Sequence, residues 1–182
     1  MFKLSYSKYI LLYGVSAGVL TLVYCLIVKS MGVIPLDGKK APSILLSGAC
    51  MALAVWSCRK NNTDQVIHFW ECIIIANLTN LVGACISATG LYFWLSSDPS
   101  MVQGFISESL HVLQLPNVKE EYVKDLGEAV YNQAIAGFKM LTPTDLAWDE
   151  LKGLKGKLPL GFFMSMMISI YFKRHYITPK AV

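Results

Sequence analysis

Four side chains more polar than a hydroxyl or thiol interrupt the longest apolar stretch of the sequence, residues 66–95: His68, Glu71, Asn77 and Asn80. Such groups inside a membrane helix pair with another helix or line a path for protons, ions or substrates, because lipid offers them no water. His68 and Glu71 are three residues apart and share one helix face, where they can pair with each other. Two residues do not make a metal site, and we expect no catalytic or cofactor-binding residue among the four.

Depth in the membrane decides what these residues can do. A helix that begins near Thr63 puts Glu71 about two turns from its start, at the level of the lipid headgroups. We therefore expect Glu71 at the interface, and a carboxylate inside the hydrocarbon is the alternative. Asn77 and Asn80 lie too deep to reach water. They are expected to form interhelical hydrogen bonds that fix the packing, with a polar path through the protein as the alternative.

Four apolar stretches must position these side chains. The chain has 182 residues, of which 54% are hydrophobic and only 15% charged, a composition that excludes an ordinary soluble protein. We predict an all-α fold, a four-span transmembrane helix bundle, with three spans at 9–28, 41–58 and 66–95 in a first region, residues 1–95. The fourth span belongs to a last region, residues 158–182, and has only 15 apolar residues, so it needs snorkelling lysines, Lys157 among them, at its ends.

Small residues recur at helical spacing within the first three spans. Gly14 and Gly18 form a G-x-x-x-G pair, Gly48 lies in the second span, and Gly83 and Ser87 share a stripe with Asn80. Small residues let two helices approach closely in lipid. We expect these positions to pack within the chain, and a dimer face on the first span is the alternative.

Residues 96–157 form the middle region and change to an amphipathic helical pattern. Start signals at Asp98, Asn117 and Thr142 predict three helices, the second of which runs to about Met140. We place this region outside the membrane. Its apolar faces can bury themselves against one another, lie along the lipid headgroups or recruit a partner.

Other groups that could do chemistry have simpler explanations. Lysines interleave the carboxylates of residues 120–128, which indicates a solvated helix face, and His111 stands alone. The five cysteines include no C-x-x-C pair, so neither a disulfide framework nor a metal site follows. The net charge of +4 does not imply nucleic acid as a partner.

Basic residues set the orientation. If four spans cross, the termini and the turn after residue 58 share one side, which carries Lys3, Lys8, Arg59, Lys60, Lys173, Arg174 and Lys180. The middle region carries nine acidic residues and six lysines. The positive-inside rule then places both termini in the cytoplasm and the middle region outside.

The layout resembles a known bacterial membrane family. The Arg59-Lys60 turn is followed by the span VIHFWECIIIANLTNLVGACISATGLYFWL, then by a long helical excursion and a last span that ends in IYFKRH. In these features the chain is similar to domain-of-unknown-function family 4199. The resemblance implies a bacterial inner-membrane location, and it supplies no site residues because that family has no assigned activity.

Packing features without recognisable chemistry favour one class of function. We expect a multi-pass inner-membrane protein that serves as a non-catalytic accessory or scaffold subunit of a membrane complex. Its partners would be the lipid bilayer and either another membrane protein or further copies of the chain, with no cofactor. The alternative is a small oligomeric transporter or flippase with a polar route along the third span, past Glu71, Asn77 and Asn80.

Overall fold

The computed structural model describes residues 6–62, 67–152 and 156–174. Every regular element in these ranges is helical, which confirms the all-α prediction. In chain order the α-helices are α1 (Tyr6–Ser30), α2 (Ala41–Lys60), α3 (Phe69–Ser97), α4 (Pro99–Gln114), α5 (Pro116–Leu126), α6 (Glu128–Lys139), α7 (Pro143–Lys152) and α8 (Lys157–Arg174). A 3-10 turn, Asp37–Lys40, leads directly into α2.

Three described segments are long and apolar enough to cross a membrane: α1, Gly38–Lys60 and α3. They correspond to the first three predicted spans, although α3 begins at Phe69 and the predicted helix start near Thr63 lies outside the described residues. The fourth predicted span is α8, which has 18 residues and a length of about 27 Å. Unlike the three segments above, α8 is not among the described helices that are long and apolar enough to cross a membrane.

The chain divides into two compact units, Met1–Gly90 with Trp148–Val182, and Leu91–Ala147. In the first unit α1 runs parallel to α3, because Gly14 lies against Val82 and Gly18 against Ile86. The α1 and α2 helices are antiparallel, and the hydroxyls of Tyr13 and Ser57 join them across 2.8 Å. Buried apolar side chains between the helices form the core, among them Met51, Val55, Cys58, Cys72, Ile75 and Phe172.

The second unit contains α4, α5 and α6, which contact one another. Its most deeply buried aromatic residue is Tyr131, whose hydroxyl donates a hydrogen bond to the carbonyl oxygen of Leu113. The prediction of one helix from Asn117 to Met140 is wrong, because Gly127 adopts φ +87° and separates α5 from α6. That backbone conformation is left-handed and breaks a helix, and only glycine adopts it without strain.

The predicted helix starts have mixed outcomes. At Thr142 the prediction is confirmed, since its hydroxyl and N–H both donate hydrogen bonds to the Asp145 carboxylate and the Asp145 N–H donates back to the hydroxyl. The start at Asn117 is wrong by two residues, because the capping position before α5 is occupied by Leu115. The first residue of α5 is Pro116. Proline is favourable there because the N–H that it lacks would have no partner within the helix.

Candidate functional site

Lys157 is the most unusual side chain of the first unit, because its ammonium group is buried among α1, α3 and α7. The residue is 4% exposed. Its Nζ donates hydrogen bonds to Oγ1 of Thr21 at 2.7 Å and to Oγ of Ser87 at 3.0 Å. The expectation that Lys157 snorkels outward to extend a short span is therefore wrong: the side chain points inward, where two hydroxyls and a carboxylate solvate it in place of water.

Glu150 of α7 balances part of this charge. Its Oε1 lies 3.7 Å from Nζ of Lys157, and its Oε2 accepts a hydrogen bond from Nζ of Lys40. Glu150 is 7% exposed and the Lys40 side chain 12%. The three side chains thus form a buried array, lysine, glutamate, lysine, which we call the charged triad. Buried charges persist only when they are paired and hydrogen-bonded in this way.

The Lys157 ammonium lies far from the C-terminal ends of α1 and α3. Thr21 is nine residues before the last residue of α1, and Ser87 is ten residues before the last residue of α3. A rise of 1.5 Å per residue puts these two hydroxyls about 14 and 15 Å from those ends. In a membrane-spanning bundle the amine would sit within the hydrocarbon level, where an ionisable side chain marks a functional site by default.

A cavity of about 160 Å³ opens beside the charged triad. The 3-10 turn and the first turn of α2 form one wall, and α7 and the start of α8 form the other. Among the described residues, its lining consists of Gly38, Lys40, Ala41, Ser43, Ile44, Asp149, Glu150, Lys157 and Leu160. A water molecule occupies about 30 Å³ in the liquid, so the space suits a handful of waters or one small polar group.

The two asparagines of α3 hold α8 in place. Asn80 is buried, and its Nδ2 donates a hydrogen bond of 2.9 Å to the main-chain carbonyl oxygen of Lys157. Nδ2 of Asn77 donates to Oγ of Ser165 at 2.7 Å and to the carbonyl oxygen of Ile73. Since residue numbers rise along α8 as they fall along α3, the two helices are antiparallel. Both amides are engaged in helix contacts.

Glu71 and His68 lie at the beginning of α3, away from the charged triad. Glu71 is in the first turn of the helix, and its Oε2 accepts a hydrogen bond from the main-chain N–H of His68 at 3.1 Å. The His68 side chain is exposed and Glu71 is half-buried. A carboxylate in the first turn of a helix is stabilised by the helix dipole, so this position suits an interfacial cap.

The small residues named from the sequence lie at close helix contacts. A Cβ atom at Gly14 would lie 2.7 Å from Cβ of Val82, and one at Gly18 would lie equally close to Cβ of Ile86. Gly83 faces Ala17 of α1 in the same contact. A side chain at Gly48 would overlap the terminal methyl group of Met164 in α8. Ser87, on the same stripe, accepts the hydrogen bond from Lys157 described above.

Sequence reasoning missed Glu150, Lys40 and Thr21. A signal for Glu150 exists: it lies three and four residues after Ala147 and Leu146, which are buried, so it continues the inner face of α7. A charged residue at that spacing is nevertheless ordinarily assigned to the solvent-exposed side of a helix. Lys40 and Thr21 carry no comparable local signal, since only the tertiary fold brings them to Glu150 and Lys157.

Other candidate groups stay apart. His111 and the carboxylates of α5 are exposed, as predicted for a solvated face. Within the ranges the structure describes, no three histidine, cysteine or acidic side chains come together as they would around a metal ion. The charged triad is therefore the candidate functional site, because Lys40 and Glu150 are distant in sequence and adjacent in the fold.

A family model described as "Protein of unknown function (DUF4199)" matches residues 12–174. The chain belongs to the DUF4199 family. The match includes the whole charged triad and every helix of both units, apart from the first residues of α1. No curated protein and no solved structure matches the chain. Membership of DUF4199 therefore brings no activity with it, and the site must be interpreted from its geometry.

Proposed function

We propose that this DUF4199 protein is an integral protein of the bacterial inner membrane and serves as a non-catalytic accessory or scaffold subunit of a membrane complex. Support for the membrane location comes from three apolar helices and from the apolar side chains on the outside of the first unit, such as Leu12, Leu45, Trp70 and Phe163. In this proposal α8 is the fourth span and packs on α2 and α3. Both termini then face the cytoplasm.

One observation supports the choice of a scaffold: Asn77, Asn80 and Ser87 of α3 form hydrogen bonds to a neighbouring helix. Asn77 and Asn80 each donate to α8, and Ser87 accepts from Lys157. Hydrogen bonds between neighbouring helices rigidify a bundle, and the amide nitrogen atoms of both asparagines are engaged in such bonds.

The second unit offers a surface for a partner. No residue of α5 is buried, and in α6 only Tyr131 is. Several apolar side chains remain exposed there, namely Val112, Leu115, Leu126, Val130 and Met140. Exposed apolar side chains on helices that already contact one another favour a further contact with protein or lipid.

Mild-detergent purification of the full chain followed by mass spectrometry tests this proposal. We expect a stoichiometric membrane-protein partner or a defined homo-oligomer. Val130→Glu should release the partner, and Asn132→Glu, an exposed neighbour on the same helix, should retain it. A clean monodisperse monomer from several detergents would argue against the scaffold.

The second candidate is a small transporter or flippase, and the cavity beside the charged triad is what favours it. Here the polar route would pass Lys157 and Glu150 in addition to Glu71 and Asn80. Replacing Glu71 with Gln and Asn80 with Leu should abolish any flux phenotype if the route runs along α3. Full flux in both variants at normal expression would remove that version of the idea.

A further inference from the structure

We propose that the cavity beside the charged triad binds a small oxyanion, a phosphate or carboxylate group, which Lys40 and Lys157 hold together. This inference is independent of the scaffold proposal, because it concerns a ligand of the first unit and not a protein partner. It follows from the charge balance of the site, from its burial and from its size.

The charge balance comes first. With both ammonium groups protonated, the charged triad carries two positive charges and one negative charge, and all three side chains are largely buried. Asp149 also borders the cavity, but it is exposed to solvent and screened there. An unbalanced charge away from water is costly unless a counter-ion joins it. One further negative charge in the cavity would balance the buried set.

The hydrogen-bond distances around Glu150 and Lys157 are compatible with a bound anion. Glu150 uses Oε2 on Lys40, and its Oε1 is 3.7 Å from Nζ of Lys157, beyond ordinary hydrogen-bond distance. The Lys157 ammonium has three hydrogen atoms, and Thr21 and Ser87 take two of them. The remaining partner that the structure shows is Glu150 at 3.7 Å, so an anion in the cavity would compete with that carboxylate for the third hydrogen atom. An oxygen atom of a small anion is the natural acceptor for it.

The surrounding backbone also favours a negative group. The first turns of α2 and α8 both border the cavity, and the N-terminal end of a helix carries a partial positive charge. A cavity of about 160 Å³ is below the size usual for drug-sized ligands, so it suits a small anionic group. The oxyanion is therefore a free phosphate or small carboxylate, or the phosphate group of a lipid.

The test uses the full-length protein in a neutral detergent. Unfolding temperature is measured against inorganic phosphate and against acetate, with chloride at equal ionic strength as the reference. A second arm measures retention of phosphatidylglycerol by native mass spectrometry, with diacylglycerol as the lipid that lacks a phosphate. Saturable stabilisation by phosphate or acetate identifies a free anion, and selective retention of phosphatidylglycerol identifies the lipid. Either result supports the site.

Matched variants separate binding from simple stability. Lys40→Met should weaken binding of the anion at least tenfold, whereas Lys39→Met, an exposed lysine of the same turn that does not line the cavity, should leave it unchanged. Glu150→Gln removes the carboxylate that competes for both lysines, so it should strengthen binding. A merely structural role for Glu150 would not produce that gain.

Three results would overturn the proposal. The first is no saturable effect of phosphate or acetate together with no retained phosphatidylglycerol in the unmodified protein. The second is equal binding in Lys40→Met and Lys39→Met. The third is weaker or unchanged binding in Glu150→Gln, which stays informative even if Lys40→Met fails to fold.

Discussion

Nδ2 of Asn80 donates a hydrogen bond of 2.9 Å to the main-chain carbonyl oxygen of Lys157. This contact places the first residue of α8 beside the twelfth residue of α3. The Lys157 side chain continues from there to Thr21 and Ser87. One asparagine thereby fixes both the start of a helix and the position of a buried ammonium group.

Replacing Gly161 with Ala should destabilise this contact. A Cβ atom at position 161 would lie 2.5 Å from Cγ of Asn80, so either α8 must shift or the amide must turn away. Overpacking of this kind costs about 1–3 kcal/mol. Thermal unfolding in detergent micelles measures the loss. Gly137→Ala in α6 is the control, because no atom lies within 4 Å of a Cβ built there, and equal stability of the two variants would contradict the contact.

Removing the hydroxyls that solvate Lys157 should also lower stability. Thr21→Val and Ser87→Ala each leave the buried ammonium short of one acceptor, and an unsatisfied buried polar group costs about 1–3 kcal/mol. Denaturant unfolding of the detergent-solubilised protein gives the difference. Thr89→Val changes an exposed threonine of the same helix as Ser87 and should have little effect. If Thr21→Val behaved like Thr89→Val, Lys157 would not depend on that hydroxyl.

Gly18→Leu should disrupt the packing of α1 on α3 within one chain. The position lies against Ile86, where even one methyl group would come within 2.7 Å of Cβ. We expect a lower unfolding temperature together with an unchanged oligomeric state, measured by sedimentation in detergent. Loss of an oligomer with no loss of monomer stability would instead assign the glycine pair to a dimer face.

Acid should weaken the start of α7. Hydrogen bonds from the hydroxyl and N–H of Thr142 hold the pKa of the Asp145 carboxyl below its ordinary value. Because the folded-state pKa is the lower one, the carboxylate stabilises the helix above the unfolded-state pKa of about 3.9, and that contribution is lost as pH falls through the folded-state value. Carbon-13 NMR titration of Asp145 measures the shift. Thr142→Val should raise the pKa, and Thr144→Val should not.

The length and uniform apolarity of three stretches were sufficient to predict an all-α fold and three helices that could cross a membrane. Length and apolarity are local properties, and the ends of α1, α2 and α3 lie within a few residues of the predicted positions. The break at Gly127 was missed because the apolar face continues across it. A single glycine in a helical pattern is usually tolerated, and only its positive φ shows that the chain changes direction there.

The site was harder to predict, because its members are far apart in sequence. The sequence predicts an interhelical hydrogen bond for Asn80, and the structure shows its partner, the main-chain carbonyl oxygen of Lys157. Lys157 was assigned to the interface, since a lysine at the end of an apolar run ordinarily snorkels. Only the fold reveals that Glu150 and two hydroxyls surround it, and that 110 residues separate Lys40 from Glu150.

The account depends on α8 lying against α3 inside a single bundle, with Lys157 at its inner end. The most direct test replaces the native cysteines and introduces the pair Asn80→Cys and Gly161→Cys, with Asn80→Cys and Phe163→Cys as the control, because Phe163 is exposed. In isolated membranes under mild oxidation, we predict an intramolecular disulfide in the first pair and none in the second. Disulfides only between chains, or equal yields from the two pairs, would contradict the account.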